Sequence, residues 1–357
     1  MEKNPFEIDF EEYIRHTDAS KKEKTLAWST AIGLQKVDGL NTSSYLYETA
    51  KKNIEGELSF DEAKNLIDSY YESRTFRSDD EDERTEEADK VSIRIAQILS
   101  EPSFNFSPSY LIAIHKRLFE GIFKFAGKIR DYDITKKEWV LNGDTVMYGA
   151  AFELKAALDY DFDIERNFNY SGLSNDEIVK HITFFVSRLW QIHAFGEGNT
   201  RTTAVFAIKY LRSLGYNVDN DIFAENSWYF RNALVRANYK NLKNGIEESP
   251  IYLERFFRNL ILGENNVLKN RYTHVDYAEK FGGNEESSEK KFGDNQKTSE
   301  IILELLKANQ KLSAKKLSEK IGITSRAVEK QLAILVEKGL LKRVGSPKGG
   351  YWEILNQ

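Results

Sequence analysis

The stretch His193-Ala-Phe-Gly-Glu-Gly-Asn-Thr-Arg201 lies between two segments in which apolar residues recur every three or four positions. That spacing predicts a helix on each side, so the stretch forms the loop of a helix–loop–helix unit. A loop that ends on a helix N-terminus presents free backbone N–H groups and the positive end of the helix dipole. Its glycines also let the main chain approach a ligand closely. The sequence therefore predicts an anion site at this loop.

Three side chains of the loop suit phosphate transfer. His193 ionises near neutral pH and is a candidate general base for an attacking hydroxyl. Glu197 offers the hard oxygen ligand that Mg²⁺ prefers, and phosphates and water would supply the other ligands. Arg201 stays charged, and its planar guanidinium can neutralise a developing pyrophosphate. The alternative is an ordinary polar loop with a capping Asn199 and a surface ion pair.

The same stretch resembles the signature of the Fic domain family, H-x-F-x-D/E-G-N-G-R-x-x-R. Upstream, Gly127-Lys-Ile-Arg130 and the following Asp-Tyr-Asp-Ile134 resemble the segment before the substrate-binding flap of that family. Family members use ATP and a divalent metal to transfer AMP to a hydroxyl side chain of a target protein, with release of pyrophosphate. The resemblance, which covers about residues 90–262, implies that reaction here.

The resemblance also implies roles for individual residues. His193 would be the general base and Glu197 the Mg²⁺ ligand. Seven residues would bind ATP, namely Phe195, Gly196, Gly198, Asn199, Thr200 and Arg201 in the loop and Tyr229 in a later helix. Phe195 would also anchor the loop in the core, and the aromatic stripe around Tyr229 is equally typical of core packing.

Three residues depart from the family pattern. Ala194 replaces a proline, which is a mild change because the loop needs no fixed φ there. Thr200 replaces a glycine and removes conformational freedom from one position of the phosphate nest. Ala204 stands where the family has a second arginine, so one contact to the terminal phosphates is missing.

The segment Glu138–Tyr148 predicts a flap beside the loop. Runs rich in Trp, Val, Leu and Tyr flank Asn142-Gly143, which is a strong hairpin signal. We expect a β-hairpin whose free edge binds an extended target segment by strand addition. The alternative is a surface hairpin that only covers the core.

The N-terminal part contains two predicted helices. Tyr45–Asn53 has helical periodicity, Gly56 is a natural C-cap, and Ser59 begins the next helix with a capping box.

The end of the first of these helices resembles the inhibitory helix of Fic proteins, whose motif is S/T-x-x-x-E-G/N. Glu55 would then be a regulatory glutamate that displaces the γ-phosphate. Lys51 replaces the Ser or Thr of that motif, and with Ala204 in place of the usual partner, the nearest candidate donors are Arg201 and Asn199. The alternative is a helix end with an exposed glutamate.

The C-terminal part resembles a winged helix-turn-helix. Residues 324–338 read as the recognition helix, and residues 341–354 read as two strands around a Gly/Pro turn, the wing. Residues 297–357 carry 12 Lys/Arg against 6 Asp/Glu, a net charge of +6, which leaves −11 on the rest of the chain. This asymmetry favours a DNA partner.

Five residues of this module are candidate DNA contacts: Ser325, Arg326, Lys330, Arg343 and Lys348. The alternative is a dimerisation or protein-docking module whose lysines only confer solubility.

Length and composition set the organisation. The 357 residues predict an N-terminal helical segment (1–89), a Fic domain (90–280), a linker (281–298) and a winged helix-turn-helix (299–357). The fold class is therefore mainly α, with a β-hairpin flap. The absence of cysteine excludes disulfides, thiolate metal sites and cysteine nucleophiles. No signal-like or membrane-length apolar run is present, so we expect a cytoplasmic protein.

Two function classes follow. The first is an adenylyltransferase that uses ATP and Mg²⁺ on a target protein bearing a Ser, Thr or Tyr hydroxyl. The second is a nucleotide-sensing, DNA-binding transcriptional regulator whose Fic domain is weak or inactive. A homodimer is compatible with both.

Overall fold

The computed structural model describes residues 19–73, 80–218 and 222–277, together with part of the segment 302–354. Most of these residues are helical, which confirms the expected fold class. The helices are α1 (Ala19–Gly33), α2 (Ser44–Glu55), α3 (Phe60–Ser73), α4 (Asp80–Ser100), α5 (Pro108–Phe119), α6 (Leu154–Arg166), α7 (Asn175–Ile192), α8 (Asn199–Ser213), α9 (Ile222–Ala237) and α10 (Ile251–Leu262). Short 3₁₀ segments occur at Leu34–Asp38, Trp139–Leu141, Ala151–Glu153, Leu242–Asn244 and Asn270–Thr273. None of the helices in this described part is long and apolar enough to cross a membrane.

Local capping chemistry sets the helix ends around the loop. At the start of α7, the Glu177 N–H donates to Ser174 Oγ at 3.3 Å, and the Ser174 N–H donates to the Glu177 carboxylate at 2.8 Å. The helix ends at Ile192, where His193 adopts the left-handed conformation with φ 50°. Gly198, with φ 76°, precedes α8. The predicted helix–loop–helix unit is confirmed.

The two N-terminal helix boundaries are confirmed as well. Gly56 is left-handed, with φ 86°, and its N–H caps α2 by donating to the Asn53 carbonyl. The N–H and hydroxyl of Ser59 both donate to the Glu62 carboxylate at 2.8 Å.

A single apolar core joins the N-terminal helices to the helices around the loop. Helix α1 packs against α4, and α9 packs against α1 and α10. The buried side chains include Trp28 of α1, Trp190 of α7 and Phe206 of α8. The chain divides into two compact units, residues 1–275 and 276–357. The predicted N-terminal segment thus shares a unit with the helices that carry the loop.

The segment Glu138–Tyr148 differs from the expected β-hairpin. It lies within a longer irregular stretch, residues 130–149, which we call the flap segment. The chain does turn at Asn142 and Gly143, and the Gly143 N–H donates to the Glu138 carbonyl at 3.0 Å. The residues before the turn form a 3₁₀ segment, Trp139–Leu141, and no strand is assigned anywhere between 138 and 148. The reason is burial, because Val140 and Leu141 are adjacent in sequence and both lie in the core. A strand would turn one of them outward.

The second unit has its own apolar cluster, which consists of Ile302, Leu306, Leu312, Leu317, Val328, Leu332, Leu335 and Leu341. Strands β1 (Leu341–Val344) and β2 (Tyr351–Ile354) pair antiparallel, with Leu341 opposite Ile354. The two predicted wing strands are therefore present.

Candidate active site

His193 is the C-cap of α7 and is almost completely buried. Its Nδ1 lies 3.3 Å from the Trp190 carbonyl oxygen. Because a carbonyl only accepts, Nδ1 carries the proton and Nε2 holds the free lone pair. Nε2 is buried, and no hydrogen-bond partner for it exists among the described residues. A buried acceptor without a hydrogen bond destabilises the fold unless a ligand donates to it. Nε2 is therefore suited to receive a proton from a bound molecule.

The surroundings keep this imidazole neutral. Burial holds the pKa of His193 well below its usual value, and the nearby cations of Lys136, Arg231 and Arg130 lower it further. The Tyr148 ring lies 4.1 Å from the imidazole between centroids, and the Trp190 ring packs edge-on at 5.2 Å. The aromatic rings therefore fix the plane of the base.

Asn199 and the glycines shape the loop. The Asn199 Oδ1 accepts from the Phe195 N–H at 3.0 Å, and its Nδ2 donates to the Phe195 carbonyl at 2.7 Å. A Cβ on Gly198 would lie 2.4 Å from the Phe119 ring, and one on Gly196 would lie 2.6 Å from the Tyr132 hydroxyl. Gly198, which is also left-handed with φ 76°, therefore requires glycine, whereas a side chain at Gly196 would only have to displace the end of the exposed Tyr132 side chain.

The main chain of the loop is open to an anion. Within the described residues, the backbone N–H groups of positions 196–198 have no acceptor. They lead directly into the first turn of α8, whose N–H groups also lack intrahelical partners. Thr200 lies in that turn, and its hydroxyl accepts from Trp190 Nε1 at 3.0 Å. This arrangement is typical of phosphate sites.

His115 of α5 contacts the loop and stabilises its backbone. The sequence analysis did not identify this residue. Its Nδ1 accepts from the Gly127 N–H at 2.9 Å, so its Nε2 donates to the Glu197 carbonyl at 3.0 Å. The ring stacks on Phe195 with centroids 3.8 Å apart. Burial lowers the pKa of His115 to about 4, so the ring is neutral at pH 7. A lone histidine on a helix gave no signal of this role.

Arg130 ties the flap to the loop. Its Nε donates to the His193 carbonyl at 2.8 Å, and its backbone N–H donates to the Ala194 carbonyl at 2.9 Å. Other guanidinium N–H groups donate to the carbonyls of Tyr132 and Gly149, near the two ends of the flap segment. The motif around Arg130 was visible in the sequence, but its role in holding the left-handed His193 backbone was not.

Glu197 is the candidate metal ligand, and its carboxylate forms an ion pair with Lys136 of the flap segment. The Lys136 Nζ lies 2.8 and 2.9 Å from the two carboxylate oxygens. The Glu197 side chain is 44% exposed. No cluster of three or more His, Cys, Asp or Glu side chains suited to a metal occurs in the described part of the chain. A single accessible carboxylate beside a phosphate nest fits Mg²⁺, provided that the ammonium gives way.

The phosphate-clamp role expected for Arg201 is not supported by its position. The side chain is completely buried, and its nitrogens lie 2.8 Å from Asp38 Oδ2 and 2.6 Å from Glu87 Oε1. A third nitrogen donates to Gln35 at 3.0 Å, and the Phe119 ring covers the guanidinium. Arg201 therefore fastens α8 to the Leu34–Asp38 segment and α4, and its charge is already compensated.

Tyr229 also differs from the expected nucleotide contact. It is 1% exposed, and its hydroxyl donates to the Tyr252 carbonyl at 3.2 Å. It is a core residue that joins α9 to α10, because the aromatic stripe of this helix faces inward.

Glu55 does not have the partner expected for it. Its carboxylate pairs with Lys21 at 2.7 Å. Of the donors proposed from the sequence, Asn199 binds Phe195 and Arg201 binds the residues named above. Lys21 lies on α1, which packs against α2.

The candidate DNA contacts are only partly described. Ser325, Arg326, Lys330 and Lys348 lie outside the described residues. Arg343 lies on β1, where its guanidinium packs 5.0 Å from the ring of the cross-strand Trp352.

Comparison with known proteins identifies two family models and several relatives. A family model described as "Fic/DOC family" matches residues 105–211, and one described as "HTH domain" matches residues 298–351. The Protein adenylyltransferase VbhT of Bartonella schoenbuchensis is 29% identical over 119 residues, which are 33% of this chain and 24% of that protein. The Probable protein adenylyltransferase Fic of Salmonella typhimurium is 25% identical over 138 residues, which are 39% of this chain and 66% of that protein.

Among solved structures, a Fic family protein from Desulfovibrio desulfuricans G20 aligns over 100% of this chain and 98% of that chain. The identity is 12% and the TM-score is 0.40. The curated matches span about a quarter of the first relative and 66% of the second. The residues that the two family models match, 105–211 and 298–351, contain the loop 193–201 and most of the C-terminal apolar cluster's segment, respectively. This chain therefore contains a domain of the Fic/DOC family, followed by a C-terminal HTH domain.

Proposed function

We propose that this chain is a protein adenylyltransferase, which transfers AMP from ATP to a hydroxyl side chain of a target protein. The observation that carries the proposal is the unpartnered Nε2 of His193, buried beside the open backbone of the loop. The adenylyltransferase relatives support the same reaction class.

In this reaction the target hydroxyl gives its proton to His193 Nε2, and its oxygen attacks the α-phosphorus of ATP. The bond from the α-phosphorus to the bridging oxygen breaks, and pyrophosphate leaves. The low pKa of His193 keeps Nε2 deprotonated before the step, as a general base requires. The hydrogen bond from Nδ1 to Trp190 holds the tautomer with Nε2 free.

The loop would hold the phosphates by its backbone. The N–H groups of positions 196–198 and the first turn of α8 supply donors and a favourable dipole without a side-chain cation. Arg201 contributes indirectly, because its ion pairs with Asp38 and Glu87 keep the start of α8 in place.

Glu197 would hold the Mg²⁺ that the family reaction uses. When bound, the metal would neutralise phosphate charge and orient the nucleotide. Glu197 is placed for this because its carboxylate is accessible and its backbone is fixed by His115.

The target would bind beside the flap segment. Tyr132, Trp139 and Met147 of this segment are exposed apolar side chains. Exposed apolar side chains beside a catalytic loop are typical of a protein-binding surface.

The second candidate function is a nucleotide-sensing, DNA-binding regulator. The HTH domain at residues 298–351 favours it, and so does the Lys136 ammonium that occupies Glu197. The two functions differ in one respect, because a sensor binds ATP without forming a covalent product.

The test is transfer of label from ATP carrying ³²P at the α-phosphate or at the γ-phosphate, in the presence of Mg²⁺ and candidate target proteins. We expect protein labelling from the α-labelled nucleotide alone and its loss in His193→Ala, with ATP binding retained. His181→Asn is the matched control, since this histidine lies on the same helix about 18 Å away along the axis. Binding without labelling in the wild type would favour the sensor, and labelling from the γ-phosphate would identify a kinase instead.

A further inference from the structure

Lys136 of the flap segment brings a positive charge against the carboxylate of Glu197, the candidate metal ligand of the loop. Its Nζ contacts both oxygens of Glu197, at 2.8 and 2.9 Å. The lysine side chain is only 21% exposed. A partly buried lysine that contacts both oxygens of one carboxylate places a positive charge where a metal ion would bind.

The backbone around Lys136 links this contact to the shape of the flap segment. The Lys136 N–H donates to Thr145 Oγ1 at 3.2 Å, which joins the two limbs of the segment. Arg130 fixes the first end, and the Gly149 N–H fixes the second by donating to the Gln191 carbonyl at 3.2 Å. Lys136 therefore lies in the middle of a loop with anchored ends, and its ammonium can leave Glu197 only if this loop or its own side chain rearranges.

We propose that Lys136 is the resident cation of the metal site, and that a divalent cation binds Glu197 only by displacing it. The assignment of Glu197 as a metal ligand rests on the proposed function. A divalent cation needs a carboxylate oxygen at about 2.1 Å, and an ammonium on the same oxygens would repel it. Metal binding therefore requires the Lys136 ammonium to move away from Glu197.

The Lys136 ammonium would therefore have two positions, one without and one with a bound metal ion. In the metal-free site, the ammonium neutralises Glu197 and so prevents an uncompensated carboxylate beside the phosphate nest. In the metal-bound site, the ammonium is free to contact the phosphates that arrive with the cation. Arg201 is held in buried ion pairs, and Ala204 replaces the second arginine of the family motif. Lys136 is therefore placed to supply a positively charged side chain to the phosphates.

The test is the affinity of the full chain for Mn²⁺ alone, measured from the EPR signal of the free ion without nucleotide. We compare wild type with Lys136→Met, Lys136→Arg, Glu197→Gln and Lys137→Met. The last variant is the matched control, because Lys137 is the exposed neighbour and carries the same charge. Circular dichroism confirms that each variant is folded.

We expect Lys136→Met to bind Mn²⁺ about fivefold more tightly, which corresponds to loss of an ion pair worth ~1 kcal/mol. Lys136→Arg and Lys137→Met should resemble wild type, and Glu197→Gln should lose the site. Unchanged or weaker binding in Lys136→Met would overturn the proposal, and so would tight binding in Glu197→Gln or an equal gain in Lys137→Met. Because no nucleotide is present, the result does not depend on whether the chain transfers AMP.

Discussion

Because Arg201 is buried, its replacement can show whether this residue stabilises the fold or binds phosphate. We consider Arg201→Met, which keeps the length and apolar volume of the side chain but removes the charge. The substitution leaves Asp38 and Glu87 without their shared partner. We therefore expect a loss of folding stability and a small effect on nucleotide affinity.

The magnitude follows from burial. Breaking a buried ion pair by removing one partner costs about 3–5 kcal/mol. The arginine side chain is 0% exposed, whereas Asp38 and Glu87 are 16% and 19% exposed and can recover some hydration. Asp38 also keeps its contact with Arg231 at 3.3 Å. The lower end of the range therefore applies, about 3 kcal/mol.

The assay is urea unfolding followed by tryptophan fluorescence, which reports on the first unit through the buried Trp28 and Trp190. With a slope of about 3 kcal/mol per molar urea, the midpoint should fall by about 1 M. Glu87→Gln keeps an acceptor and should cost only about 1 kcal/mol. Arg166→Met is the surface control, because its ion pair is 3.5 Å long and largely exposed. It should cost less than about 0.5 kcal/mol.

A second measurement on the same variants is the affinity for a fluorescent ATP analogue. If Arg201→Met unfolds at the wild-type midpoint but binds the analogue much more weakly, Arg201 contacts phosphate and the structural argument is refuted.

Two further predictions concern His115 and Glu55. The unfolded-state histidine takes up a proton as the pH falls below about 6.5, but the folded His115 does so only near its pKa of about 4, so stability should fall over this range as the pH drops. The free energy of unfolding should decrease by about 3 kcal/mol over this range. Urea unfolding at several pH values should show that the stability of His115→Asn depends less on pH than that of wild type. An equal pH dependence in the two proteins would contradict the prediction. Because Glu55 pairs with Lys21, Glu55→Gly should leave automodification by labelled ATP unchanged, with His193→Ala as the blank. A clear rise would restore the inhibitory role that the sequence suggests.

The local features of the site follow from sequence alone because they depend on neighbouring residues. The helices on both sides of the loop, the cap at Gly56 and the capping box at Ser59 each require residues only a few positions apart. His193 is a candidate base from the loop sequence alone, and the carbonyl that sets its tautomer, that of Trp190, lies within the same turn.

The flap segment shows where local propensity is overruled. Its apolar residues and Asn142-Gly143 favour a hairpin, but the core buries two consecutive side chains, Val140 and Leu141. The Val140 carbonyl accepts from the Val275 N–H at 2.9 Å, so its backbone pairs with a distant segment and not with the other limb of the hairpin. Burial and this distant bond outweigh a turn signal that acts only over a few residues.

The charges of the site were decided by tertiary structure alone. Glu197 meets a lysine 61 positions away, and Arg201 meets Glu87 and Gln35 at separations of 114 and 166 positions. His115 reaches the loop from 82 positions upstream. A motif states which side chains are present, but whether a carboxylate or guanidinium is free for a ligand depends on what the fold brings against it. The nine residues of the loop therefore indicate the reaction, and the packed helices determine which of those residues can take part in it.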